Sequence, residues 1–218
     1  MNAIKITAVY NSVRNKSGLI TFIILTRYLI GFAFIPSGLK KIMGERFTQI
    51  SIENPIGFFF EGLYQSGFYW NFIGWAQVIA ALLLMTQRFA TLGAICFFFI
   101  VSNIWVITIS LHFSGTWLIT TLMLLAVIML LVWDYHKLKY IFYRENYSEK
   151  QLPENYPATS KIWIATGFIL FGWSIAGLLF LESLESPNKL FSRIWLAGIL
   201  LTVSTALYLN RNNKIEFA

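Results

Sequence analysis

About ten residues into the first long apolar run stands an arginine, and a guanidinium at that depth costs at least ~2.5–3.5 kcal/mol unless it snorkels, pairs or meets a water-filled cavity. At helical spacing Arg27 shares a face with Gly31, Phe34, Gly38 and Lys41. The two glycines let a helix or a ligand come close, and Lys41 stands at the outer mouth of that face. Two readings compete on equal terms. Either Arg27 lines a binding site, or it snorkels to lipid phosphates because the span starts later than Gly18.

Other polar residues are sparse. Gln77 and Asn103 are amides inside apolar runs, where interhelical hydrogen bonding is the common role and ligand contact the rarer one. His112 ends a run in the turn HFSGTW, without a His, Cys or Asp at metal-ligand spacing, and His136 falls on the opposite face of the membrane. No metal site is expected. Glu61 and Asp134 sit at span ends, where a solvated carboxylate is the default over a proton relay. Tyr64, Tyr69, Trp70 and Trp75 could stack on a flat ligand such as a quinone, yet an interfacial aromatic belt explains them without one. The candidate ligand-binding set is Arg27, Gly31, Gly38, Lys41, Gln77, Asn103, Trp75 and His112. Phosphate loops, Ser-His-Asp sets, paired membrane carboxylates and paired haem histidines are missing from the sequence, so no catalytic residue is assigned and no enzyme mechanism follows.

These residues need elements to hold them, and the composition says which. The 218 residues are 57% hydrophobic, 17% aromatic and only 12% charged, against about a quarter charged in soluble domains. Lipid is the expected solvent. Six runs are long and apolar enough to span as helices: Gly18 to Leu39, Tyr69 to Met85, Phe89 to Leu111, Trp117 to Trp133, Ile162 to Leu181 and Phe191 to Leu209. The fold class is therefore all-α, a polytopic membrane bundle. The net charge of +7 is scattered between the runs rather than gathered in a stripe, which speaks against nucleic acid. Cys96 is the single cysteine, so thiols do not report the redox compartment.

Orientation follows from loop cations. One side carries Lys5, Arg14, Lys16, Arg88, Lys137, Lys139, Arg144, Lys150, Lys161, Arg211 and Lys214, and the other only Lys40, Lys41, Arg46, Lys189 and Arg193. The positive-inside rule then puts both termini in the cytoplasm. Thr86, Gln87 and Arg88 leave room only for a tight helical hairpin. The segment 42–68 mixes aromatics, Glu61 and glycines, and reads as an interfacial or re-entrant helix on the outer face. The expected organisation is a cytoplasmic N-terminus (1–17), a four-span bundle (18–140), a charged linker with Pro153 and Pro157 (141–161), a two-span unit (162–209) and a tail (210–218).

The stretch TRYLIGFAFIPSGLKKIMG, from Thr26 to Gly44, resembles the first span of the DoxX-like family of small bacterial membrane proteins. WNFIGWAQVIAALLLMTQRFATLGA resembles its second span, short basic turn and third span, and NIWVITISLHFSGTW carries the likeness into a fourth span ending at Trp133 and Asp134, over about residues 18 to 140 in all. Gln77 departs from the acid that many members carry in the second span, which weighs against a proton-linked role there. The resemblance implies a four-helix membrane core extended here by a C-terminal pair. It also implies an accessory or small-molecule-binding subunit, for a quinone- or lipid-like ligand, beside a larger oxidoreductase complex. Two alternatives stand next to it: a non-catalytic assembly or chaperone factor, and a small-solute transporter motivated by Arg27, Gln77 and Asn103.

Overall fold

Apolar segments in lipid must satisfy their backbone groups internally, and helices do so within one segment. The computed structural model describes residues 10, 12–14, 16–142, 160–183 and 189–215, and among these it contains helices and no strand. Eight helices have defined bounds: α1 (Ser17–Ile42), α2 (Pro55–Gln65), α3 (Phe68–Met85), α4 (Ala90–Ser110), α5 (Thr116–Trp133), α6 (Tyr135–Phe142), α7 (Lys161–Ser183) and α8 (Lys189–Ile215). Six of them, α1, α3, α4, α5, α7 and α8, are long and apolar enough to cross a membrane. The chain is a polytopic helical membrane bundle. The expected spans agree with these helices to within a few residues at each end.

Many of the bundle's large apolar side chains face outward, among them Phe99, Leu122, Leu200 and Leu201. In water such a surface would be untenable; against acyl chains it costs nothing, and the bilayer is the partner these helices contact. What holds the helices together is close packing of small residues. α1 lies on α3, where a Cβ added at Gly74 would stand 2.7 Å from the Gly38 carbonyl oxygen and 2.8 Å from Lys41 Cβ. Gly93 of α4 meets the Leu84 backbone nitrogen in the same way, at 2.6 Å. Two polar pairs join α4 to α5: Trp105 Nε1 donates to Thr121 Oγ1 at 2.9 Å, and the Thr108 and Thr120 hydroxyls are 3.2 Å apart.

The C-terminal pair is tied internally by two indoles. Trp173 and Trp195 each donate Nε1–H to the other's carbonyl oxygen at 3.1 Å, and the crossing needs Gly177 and Gly198, whose added Cβ atoms would enter the facing rings. α7 also packs on the core. Tyr28 donates its hydroxyl to the Trp163 carbonyl oxygen at 2.6 Å, and Gly167 abuts the Met85 carbonyl. α7 thus makes most of the pair's contact with α1 and α3, and α8 adds the Phe32–Trp195 ring pair, its centroids 5.9 Å apart.

The segment between α1 and α3 contains the short helix α2, as the mixed pattern of 42–68 implies. Asn54 caps it, accepting from the Ile56 amide at 3.1 Å, with Pro55 in the first turn. Its register is pinned by Arg46, whose fork donates to both Glu61 oxygens at 2.9 Å and whose guanidinium lies 4.3 Å from the Tyr64 ring centroid. These bonds, from Arg46 first and from Gln65 next, hold the Glu61 carboxyl down at about 2. Helix α6 was not foreseen as an element; Tyr135–Phe142 turns the chain away directly after α5. The expected 141–161 linker falls largely outside the described residues.

Candidate functional site

Arg27 is turned into the bundle. It is 5% exposed, and its guanidinium divides its donors between two partners: Nη1 to Gln87 Oε1 at 2.9 Å and Nη2 to Asp134 Oδ2 at 2.8 Å. Three elements meet at this point, the first half of α1, the α3–α4 turn and the C-terminal end of α5. The Asp134 carboxylate is 2% exposed and takes a second bond at the same oxygen from Thr91 Oγ1, at 2.9 Å. Lys137, half exposed, approaches its other oxygen at 3.9 Å. A buried guanidinium in a span needs a counter-charge, and this is it.

Gln87 is held in an uncommon conformation for this task. Its φ of 60° lies in the left-handed region, which costs a side-chain-bearing residue roughly 1–2 kcal/mol. The surrounding bonds compensate. Its Nε2 donates to the Leu84 and Met85 carbonyl oxygens at 3.4 and 3.2 Å, at the end of α3 where carbonyls run out of intrahelical donors, leaving Oε1 to receive Arg27. One amide thus closes a helix end and positions the arginine.

Beside the pair lies a cavity of about 240 Å3. Arg14, Arg27, Asp134 and Lys137 give it a charged wall, and Ile20, Ile23, Ile24, Trp133 and Trp163 an apolar one, with Ser17, Thr21, Ser160 and Asn210 completing the lining. The Arg14 guanidinium stands 5.5 Å from the Tyr10 ring centroid and 5.6 Å from that of Trp133. Tyr10 donates to the Trp133 carbonyl oxygen at 2.6 Å and reaches His136 Nδ1 at 3.5 Å. Burial, then the neighbouring Arg14 charge, pushes the His136 imidazole down to about 4.

The sequence-derived candidates separate into groups. Gln77 is not near Arg27. It lies at the other end of the bundle, where its Oε1 accepts from Lys41 Nζ and from Ser37 Oγ, each at 3.2 Å. Lys41 is 6% exposed, bonds the Ser37 carbonyl at 3.0 Å and has its ammonium 4.5 and 5.0 Å from the Phe47 and Trp70 ring centroids. Asn103, Trp75 and His112 are exposed, so none of them shares a site with Arg27, because the helical turn carries each to the lipid-facing or loop surface. Gly31 and Gly38 do mark a close approach, but α3 fills it through Met85, Val78 and Gly74. Trp70 is buried and donates to the Glu45 carbonyl at 2.9 Å, apart from exposed Tyr69 and Trp75. The four aromatics therefore form no joint stacking platform. The cavity lies between α1, the end of α5 and the C-terminal pair.

Sequence reasoning passed over Gln87, Thr91 and Arg14, and assigned Asp134 to solvent. A usable signal was present. Asp134 is the single aspartate of the chain and stands at the same end of the bundle as Arg27, and a buried arginine requires an acid.

Six apolar helices closed at one end by a buried ion pair define a polytopic helical membrane protein. A DoxX family model matches residues 22–110. The chain is also 32% identical over 134 residues to the uncharacterized protein YwoB of Bacillus subtilis (strain 168), an alignment covering 58% of this chain and 85% of that one. The chain belongs to the DoxX family. No solved structure matches it significantly. The family model spans α1 to α4, so it includes Arg27, Gln87 and Thr91, whereas Asp134, Trp163 and Asn210 lie beyond it.

Proposed function

We propose that this protein is a small-molecule-binding subunit of a bacterial inner-membrane oxidoreductase system, holding a quinone- or lipid-like amphiphile beside Arg27. The observation that carries the reading is the 240 Å3 cavity with one charged and one apolar wall. It is far larger than the ~30 Å3 share of one water, and its division matches a molecule with a polar head and a hydrocarbon body. Trp133 and Trp163 offer flat apolar surface, and Arg14, Arg27 and Lys137 offer donors to a carbonyl or an oxyanion. The eleven-to-five distribution of loop cations favours an orientation with this cavity on the cytoplasmic side.

The test is direct. The full chain purified in mild detergent is extracted for bound organic molecules, and its thermal midpoint is measured with added short-chain quinone or phospholipid. Thr21→Trp, which fills the cavity from α1, is the matched variant. We expect an amphiphile retained by the wild type and lost by Thr21→Trp. If neither a quinone nor a lipid is retained, and no redox subunit co-purifies, the reading is wrong. For orientation, Lys16→Cys in a Cys96→Ala background should resist a membrane-impermeant thiol reagent in intact cells; labelling there would reverse the topology.

A further inference from the structure

Acyl chains accept an apolar side chain freely but offer an amide nothing to bond, so a polar group on the lipid-facing surface of a span marks a missing partner. Asn103 is such a group. It stands on α4, which at 21 residues is long enough to cross the hydrocarbon layer. The helix ends at Ser110, and at 1.5 Å per residue Asn103 lies about 10 Å below that end. An asparagine side chain is too short to reach headgroups from that depth, unlike lysine or arginine. Asn103 is exposed, and its amide has no hydrogen bond to any described residue. Thr202 and Thr205 of α8 show one remedy, since each hydroxyl donates at 2.8 Å to a carbonyl of its own helix, those of Gly198 and Leu201. Gln77 shows the other, accepting from Lys41 and Ser37. Asn103 has neither.

We infer that this side of α4 is the contact face of a dimer, and that the missing partner is the same asparagine of a second copy of the chain. The pattern around Asn103 is the second argument. Leu92, Cys96, Phe99, Asn103, Val106 and Ser110 follow one another at alternating steps of four and three residues, the spacing of a seam between two helices that cross at about 20°. All but the partly buried Cys96 are exposed. Ala94, Val101 and Thr108, on the opposite side of the helix, are buried in the bundle. The choice of a second copy rests on symmetry. Copies inserted in the same sense have parallel α4 helices, and a two-fold axis along the membrane normal sets each residue opposite its equivalent at equal depth. An amide both donates and accepts, so two asparagines satisfy each other reciprocally. A single asparagine in an otherwise apolar seam fixes register and partner number in this way. The seam carries no charge that would select an unlike partner. It also shares no residue with the cavity lining, so the dimer stands or falls independently of the proposed ligand.

The test follows the full chain, labelled once at its C-terminus, in liposomes over a range of protein-to-lipid ratios, with subunits counted by single-molecule photobleaching. We expect a monomer–dimer equilibrium for the wild type. Asn103→Leu should raise its dissociation constant about tenfold, roughly the yield of two interhelical hydrogen bonds in a membrane. Asn103→Gln keeps the amide and should recover part of that loss, while Leu200→Ala, on the lipid-facing side of α8, should change nothing. Cys96 is the single cysteine, so a short bifunctional thiol reagent can join one chain only to another. It should give covalent dimers from the wild type and fewer from Asn103→Leu. The thermal midpoint of dilute, monomeric Asn103→Leu should be no lower than that of the wild type, because no bond within the fold uses the amide. A lower midpoint shows that the amide serves the fold and overturns the inference. So does a wild type that stays monomeric at every density, an Asn103→Leu variant that pairs as tightly as the wild type, or equal weakening by Leu200→Ala. Dimers that the Cys96 reagent fails to join use another face and overturn it as well.

Discussion

Replacing Asp134 with asparagine removes a charge and almost nothing else, since the amide oxygen still accepts from Arg27 and from Thr91. The Arg27–Asp134 contact is 2.8 Å long with both side chains buried, and at an effective dielectric of about 20 two unit charges at that distance attract by roughly 6 kcal/mol. Retained hydrogen bonds and partial hydration reduce the loss, and measured costs of breaking a buried pair run at about 3–5 kcal/mol. We expect about 3 kcal/mol for Asp134→Asn. Arg27→Gln should cost less, because Asp134 keeps Thr91 and Lys137. The double variant should recover about 2 kcal/mol of the summed losses, since neither charge is then stranded. Equilibrium unfolding in mixed micelles, followed by the fluorescence of the eight tryptophans, gives these free energies. Arg27→Lys adds a geometric check: one ammonium cannot serve Gln87 and Asp134 as the two guanidinium nitrogens do, so it should be destabilised too. If Asp134→Asn lies within about 0.5 kcal/mol of wild type, or the cycle is additive, or Arg27→Lys is indistinguishable from wild type, the pair does not hold the bundle and Arg27 is an interfacial anchor.

Three further outcomes are expected. Gln77→Leu strands the Lys41 ammonium on the Ser37 carbonyl and two rings and should cost about 2 kcal/mol or more, whereas Lys41→Met keeps the packed stem and should cost less than about 1, both read by the same unfolding assay; the reverse order refutes the account of Lys41. Gly74→Ala forces a methyl to 2.7 Å from the Gly38 carbonyl oxygen, with backbone as the obstacle, and should destabilise by about 1–3 kcal/mol, while Gly62→Ala, with open space around it, should not. The His136 pKa is depressed from its ordinary 6.5 to about 4 in the folded chain, so the fold favours the neutral ring: its contribution is present above pH 6.5 and is lost as the pH falls toward 4. His136→Gln should flatten the thermal midpoint in that window, and an unchanged slope would show that another group titrates there.

The spans were legible because lipid imposes a simple rule: an uninterrupted apolar run of sufficient length must be a helix. The hairpin at Thr86–Arg88 followed from length alone. What the rule does not fix is which helices touch. With apolar side chains on all faces, α4 and α5 have no periodic stripe to mark a buried side, and their partners are set by small residues and isolated hydroxyls such as Thr108 and Thr120. Gln77 and Asn103 looked equivalent in sequence, and one is buried against Lys41 while the other faces outward. Arg27 could be identified as costly, but its acid lies 107 positions away, across four spans. Gln87 sat in a turn read only for its shortness, and nothing in a three-residue link announces a left-handed glutamine that bonds both a helix end and an arginine.

The C-terminal pair gives the sharpest separation between folding and binding. Lipid replaces lost apolar contacts nearly without penalty, so a chain ending after Tyr147 would re-cover the faces of α1 and α3 vacated by α7 with acyl chains. Among the described residues, the Tyr28 hydroxyl would lose the Trp163 carbonyl at 2.6 Å and Lys40, about half exposed, its 3.7 Å contact with Glu182, losses that water or a headgroup can make good. Arg27, Gln87, Thr91 and Asp134 all precede the cut. The four-span unit should therefore insert and keep its ion pair. The cavity should not survive, because Ser160, Trp163 and Asn210 form its far wall. Truncation is thus expected to leave the Asp134→Asn penalty intact while abolishing retention of any amphiphile by the purified protein. Binding that persists in the truncated chain would place the ligand elsewhere, and failure to insert would show that α7 is part of the core rather than a wall added to it.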